Sequence, residues 1–212
     1  MPETLIPGPA GHLEARFQLS KAAAAPLVTV LHPHPLHGGA MNNKVTHTVF
    51  KAFAGLGFSA LRFNFRGVGR SDGSYGEGDG ETDDAIAAMN WFESQHDDHG
   101  DVWLAGFSFG AWITARTFMA RPAIAGFVLI APGAIKYDWS FFDPCPCDGL
   151  IIQGSVDGIV APDTVEALAG QLNQQGCSVA FEMIEGAGHF FENDIELLQQ
   201  TIADYVSDRI AD

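Results

Sequence analysis

Residues 104–112 read "LAGFSFGAW". One hydroxyl stands between two phenylalanines, is closed on each side by glycine, and follows directly on the apolar run "DVWLAGF" (101–107). A serine inside a strand or a helix needs no such bracket, whereas a strand-to-helix turn too crowded for Cβ atoms does. Gly106-Phe107-Ser108-Phe109-Gly110 therefore predicts a sharp junction that lifts the Ser108 hydroxyl off the end of a strand. A helix starting near Phe109 would add the positive end of its dipole at that point.

A junction of this kind needs a sheet around it. Short apolar runs rich in β-branched and aromatic residues recur as "LVTVLH" (27–32), "FSALRFNF" (58–65), "IAGFVLIAP" (124–132) and "GLIIQG" (149–154), and "SVAFEMIE" (178–185) alternates in the manner of an edge strand. Most are apolar on both faces, as in a parallel sheet covered on both sides. Between them lie helical patterns: Val45, Val49, Phe53 and Leu56 after a cap at Asn42 or Asn43; Ala85, Met89 and Phe92 after Thr82 or Asp83; Val165, Leu168 and Leu172 after Pro162; and Ile195, Leu198, Ile202 and Tyr205. The alternation predicts an α/β fold, a mostly parallel doubly wound sheet flanked by helices, with "TLIPG" and "HLEARFQL" as an antiparallel hairpin at one edge. At 212 residues and 47% hydrophobic content the chain fits one domain, 1–212.

Ligands of such sheets bind beyond the carboxyl ends of the strands. Ser108 needs a base to become a nucleophile, and the base needs an acid to orient it. His189 in "EGAGHFF" stands after the last strand, and Asp157 in "GSVDGIV" stands after "LIIQG". The chain order Ser108, Asp157, His189 suits a triad built on successive strand ends. Asp138, in "IKYDW", is the rival for the acid. The oxyanion donors are expected to be the backbone N–H of Phe109 and one from "HPHPLHGG" (32–39). Pro33 and Pro35 have no N–H to offer. Leu36 is the expected second donor, with His34 as the alternative. His32, His34 and His37 lack a carboxylate or cysteine at ligand spacing, so no metal is expected; His32 reads as packed at the strand end, and His34 and His37 as pocket wall.

The remaining signals restrict function. A formal net charge of −15, from 26 acidic against 11 basic residues, opposes nucleic acid and anionic membranes. No basic-then-apolar leader and no membrane-length apolar run is visible, and Cys145, Cys147 and Cys177 form no disulfide framework, so reduced cysteines and a cytoplasmic location are expected. A homodimer is left open.

From "LVTVLHPHPLHGG" through "RFNFRGVGRSDG", "GFSFGAW" and "QGSVDGIVAP" to "GAGHFF", nearly the whole chain resembles the α/β-hydrolase superfamily. Within it, "HPHPLHGGAMNNK" is similar to a small bacterial branch related to dienelactone hydrolases. The resemblance implies a serine hydrolase with nucleophile Ser108, acid Asp157 and base His189, working without a cofactor. Dienelactone hydrolases use a cysteine where Ser108 stands, so their substrate does not carry over. Many members insert a helical cap before the acid-bearing strand; here "GAIKYDWSFFDPCPCD" fills that gap and is too short for one. An open site is expected, walled by candidates among Trp139, Phe141, Phe142, Phe190, Phe191, Met41 and Phe107. The expected activity is hydrolysis of small to medium acyl esters. Thioesterase, lactonase and peptidase activities, a non-catalytic binding protein of the same fold, and a scaffold protein are the alternatives.

Overall fold

The computed structural model describes residues 3–96, 98–121, 123–141 and 147–210. Among these residues eight strands form one sheet: β1 (Glu3–Gly8), β2 (Gly11–Gln18), β3 (Leu27–Leu31), β4 (Ser59–Phe63), β5 (Val102–Phe107), β6 (Gly126–Ile130), β7 (Gly149–Gly154) and β8 (Val179–Ile184), in the order β1-β2-β4-β3-β5-β6-β7-β8. β2 pairs antiparallel with both β1 and β4, and the remaining pairings are parallel. The chain adds β4 on one side of β3 and β5 on the other, and this reversal of strand order puts Ser108, which follows β5, near the middle of the sheet.

Among the described residues five α-helices cover the two faces: α1 (Lys44–Gly55), α2 (Asp79–Ser94), α3 (Phe109–Ala120), α4 (Pro162–Gln174) and α5 (Ile195–Ile210). Side chains alternate along each parallel strand, so each strand feeds two cores. Val28, Val30, Ala105, Val128 and Ile152 pack under α1 and α5. Leu104, Leu129 and Ile151 face α3 and α4, while Leu27, Leu31 and Leu61 face α2 and α3. This two-sided burial is why the central strands read as continuous apolar runs.

Caps fix the helix starts. Asn43 caps α1, its Oδ1 accepting from Val45 N at 2.9 Å, and Pro162 opens α4. α2 begins one turn earlier than the Thr82 or Asp83 cap expected from sequence. Glu81 causes the difference: its carboxylate accepts from the Gly78 and Gly76 amides at 2.7 and 2.8 Å, closing the helix start from inside. Thr82 instead donates its hydroxyl to Gly78 O within the helix.

The two loops that follow β3 and β4 are held by buried polar anchors. Met41 N donates to Asn64 Oδ1 at 2.7 Å, and Arg62, fully buried on β4, donates to Met41 O and Asn42 Oδ1. After β4, Arg66 meets the fully buried Asp84 of α2 through its backbone N–H, Nε and a terminal nitrogen at 2.9, 3.0 and 2.7 Å. That bidentate bond holds the Arg66 guanidinium above its ordinary range despite desolvation.

Asp84→Ala leaves this guanidinium without a partner and the Arg66 amide without an acceptor. A loss of about 3 kcal/mol in urea unfolding is expected, as for other broken buried pairs.

Candidate functional site

The junction after β5 has the geometry that the glycine bracket requires. Ser108 lies at φ 57° and ψ −115°, a conformation that L residues rarely adopt. Its N–H donates to Ile130 O on the neighbouring strand at 2.8 Å, and its carbonyl accepts from Ala111 N in the first turn of α3. The strain is held by backbone contact on both sides. A Cβ on Gly106 would lie 2.2 Å from Gly110 O, and one on Gly110 would lie 2.5 Å from the carbonyl oxygens of Leu31 and His32. Helix α3 can start immediately after the serine only because both positions lack side chains.

The three residues singled out from sequence converge. His189 Nε2 lies 3.1 Å from Ser108 Oγ, and His189 Nδ1 lies 2.7 Å from Asp157 Oδ2. With an ionised carboxylate as acceptor, Nδ1 carries the proton and Nε2 is free to accept from the serine hydroxyl. Asp157 is buried and fully satisfied. Its Oδ1 accepts from the amides of Ile159 and Val160, each at 2.8 Å, and its Oδ2 accepts from His189 and from Gln153 Nε2 at 3.0 Å. Burial opposes the charged form, but the His189 bond and the two amides outweigh it, and Asp157 sits below the ordinary carboxylate value. The rival Asp138 is exposed and accepts from the Ser140 amide in its own loop.

Gln153 was not singled out in the sequence. Its Nε2 also donates to Val160 O at 3.1 Å, which fixes the amide's orientation, and it stands fully buried at the end of β7. The available signal was one polar residue in the otherwise apolar "GLIIQG".

The loop after β3 forms the opposite wall. His32 is buried; Nδ1 donates to Pro33 O at 2.6 Å and Nε2 accepts from Phe65 N at 3.1 Å. Burial pushes this imidazole down to about 4, so it stays neutral in its packed position. His34 and His37 line the cleft, their rings 4.5 Å apart. Burial, with His37 and Lys136 adding to it, lowers His34 to about 4 as well. Leu36, the expected oxyanion donor, is placed differently: its side chain is exposed, it does not line the cleft, and its amide donates to His34 Nδ1 at 3.2 Å. The short turn Pro35–His37 thus uses the His34 imidazole as its own cap, which removes the Leu36 N–H from service. The amide of His34 has no acceptor among the described residues, and neither does that of Phe109, the first residue of α3. Among the described residues no three His, Cys, Asp or Glu side chains gather as metal ligands.

The cleft holds about 430 Å³ and is walled by Tyr137, Ile135, Ile159, Val160 and Phe190 together with the two histidines. Of the described residues in the wall expected from sequence, Phe190 alone lines the cleft. Met41, Phe107 and Phe191 are fully buried, Trp139 belongs to the core beneath α3 and α4 with Phe141 packed half-buried against it, and Phe142 lies outside the described residues, as does Cys145. The aliphatic side chains that replace them sit one to three residues from a Gly or Asp, where no periodicity marks a wall. Cys147 lies between Asp148 and the core, and burial pushes its thiol up to about 12.

A family model described as "Serine aminopeptidase, S33" matches residues 34–146. The chain belongs to the α/β-hydrolase superfamily. The hydrolase shares 44% identity and a TM-score of 0.95 with a protein of unknown function from Agrobacterium tumefaciens, over 99% of this chain and 97% of that one. With an alpha/beta serine hydrolase without lid from Xanthomonas campestris it shares 35% identity over 98% and 94% of the two chains, at a TM-score of 0.90. An alpha-beta serine hydrolase homologue from Coxiella burnetii gives 38% identity, 96% coverage of both chains and a TM-score of 0.87. The lidless description agrees with the short connection between β6 and β7 in this hydrolase. Among the described residues no helix is long and apolar enough to cross a membrane.

Because the folded value of Asp157 is depressed, its contribution to stability is complete above its unfolded value of roughly 3.9 and is lost only as pH falls through the lower folded value. The stability difference between the wild type and Asp157→Asn should therefore persist from pH 7 to about pH 4 and shrink below that. Urea titrations at each pH read it directly.

Proposed function

We propose that this serine hydrolase is a carboxylic ester hydrolase acting on small to medium acyl esters through Ser108, His189 and Asp157. The relay from Ser108 Oγ through His189 to the doubly anchored carboxylate carries the reading. In this mechanism His189 Nε2 takes the Ser108 proton as Oγ attacks the ester carbonyl. The resulting oxyanion is held by the amides of Phe109 and His34; Leu36 gives up the second role because its N–H is already engaged. The carbon–oxygen bond to the alcohol breaks, and the alcohol leaves with the proton that His189 held. Water, deprotonated by the same imidazole, then cleaves the acyl-serine and returns Ser108 to its starting state. Asp157 keeps the imidazole in the tautomer that can accept at Nε2 and stabilises its cationic form.

Thioesters and lactones present the same carbonyl to the same groups. The aminopeptidase description of the matched family fits this cleft less well. Such an enzyme has to seat a free α-ammonium, and among the described residues no Asp or Glu lines the cleft, whereas Lys136 does. The kinship with dienelactone hydrolases stays an expectation of sequence.

Ser108→Ala should keep the fold, by circular dichroism and melting temperature, while turnover of a p-nitrophenyl short-chain ester falls by roughly a thousandfold or more. A fluorophosphonate probe should label the wild type and not this variant; equal turnover or labelling in both overturns the assignment. Gln153→Leu removes a donor that favours the ionised Asp157. Turnover should fall roughly tenfold, about the worth of one hydrogen bond to a charged group, and the acid limb of the pH–rate profile should move to higher pH. A fall in rate with an unmoved acid limb would assign Gln153 to packing alone.

A further inference from the structure

Ten large hydrophobic side chains are exposed among the described residues, and half of them stand on loops at the carboxyl ends of the strands. Ile135 is 79% exposed, Leu36 67%, Ile159 65%, Val156 62% and Phe190 41%. They come from four separate connections, those after β3, β6, β7 and β8. Ile135, Ile159 and Phe190 line the same cleft as Ser108, and Leu36 and Val156 stand on two of the loops that border it. None of the five belongs to a buried cluster, so packing of the fold does not require them. Isolated exposed apolar residues are ordinary, but their gathering around one opening is the mark of a binding surface.

Size and charge narrow the occupant. The cleft of about 430 Å³ is near the lower end of the roughly 300–1,000 Å³ typical of ligand pockets, so a carbonyl head with a few carbons fills it. Anything longer has to run out over the rim. Among the described residues no carboxylate lines the cleft, although the chain carries 26 acidic residues. The formal charge of −15 opposes docking on an anionic bilayer, which favours a single dissolved amphiphile over a lipid surface.

We infer that the apolar rim seats the hydrocarbon chain of an ester whose carbonyl lies at Ser108, making medium-chain esters the preferred substrate class. The inference rests on the esterase reading and deepens it. The chain could belong to the acyl part or to the alcohol part, and the rim would recognise either by the same burial of methylenes.

The test uses two series below their critical micelle concentrations: p-nitrophenyl esters from acetate to octanoate, and alkyl acetates from ethyl to octyl. Each methylene half-buried on the rim raises kcat/KM about twofold, so one series should climb at least tenfold from end to end, and the climbing series names which part carries the chain. In Ile135→Ser/Ile159→Ser the slope of log kcat/KM against chain length should fall by at least half, whatever happens to the rate on the shortest ester. Both replaced side chains are exposed and the Ile159 amide is retained, so folding is not at stake. Flat or falling series in the wild type, or equal slopes in the variant, overturn the inference and leave the esterase reading standing. Turnover that rises only above the micelle concentration, or only on phosphatidylcholine vesicles, overturns it in favour of a lipid surface. No turnover on any ester, together with no fluorophosphonate labelling, overturns both.

Discussion

The contact between Gly106 and Gly110 is the constraint from which the remainder of the site is built. β5 ends and α3 begins within a span so short that the helix's first turn lies against the strand's own backbone and against the carbonyls closing β3. No Cβ can occupy either position without displacing main chain. Ser108 is left at the apex with a positive φ, beyond the carboxyl end of the central strand β5. The neighbouring strand then fixes the height of that apex, since the Ser108 amide is bonded to the last residue of β6. The parallel order of the strands does the rest, delivering Asp157 and His189 on the connections after β7 and β8, on the same side of the sheet.

Most of this could be read from residue order. The five central strands are legible because both their faces are buried, which leaves little but Val, Leu, Ile, Phe and Ala in them. The start of α2 is not, because Glu81 caps it from the third position while Thr82 spends its hydroxyl on a helical carbonyl. Ser108, Asp157 and His189 are legible because each lies beyond the carboxyl end of a strand with a glycine one or two residues away. Leu36 and His34 differ for a reason no spacing reveals: an imidazole nitrogen turned back onto its own loop decides which amide is left over. The wall of the cleft is the least legible part. Aromatic residues draw the eye in sequence, but Phe107, Phe191 and Met41 are large enough to be needed inside, and the opening is left to Ile135 and Ile159.

The relay and the wall obey opposite rules. Asp157 and His189 are nearly inaccessible and bonded at every polar atom that the chemistry needs fixed, so the low-dielectric surroundings strengthen each contact. The rim is mostly aliphatic and has few polar groups to satisfy, and Phe190 meets the rings of His189 and Phe107 edge-on.

The donors that hold Asp157 also have a bearing on how such a site can change over time. Apart from His189, all of them lie within residues 153–160: the side chain of Gln153 and the amides of Ile159 and Val160. The acid thus carries its own jig in one contiguous segment. Side chains elsewhere around the opening can drift, lengthen or be exchanged for other tastes in ligand, and the carboxylate will still present the same oxygen in the same direction.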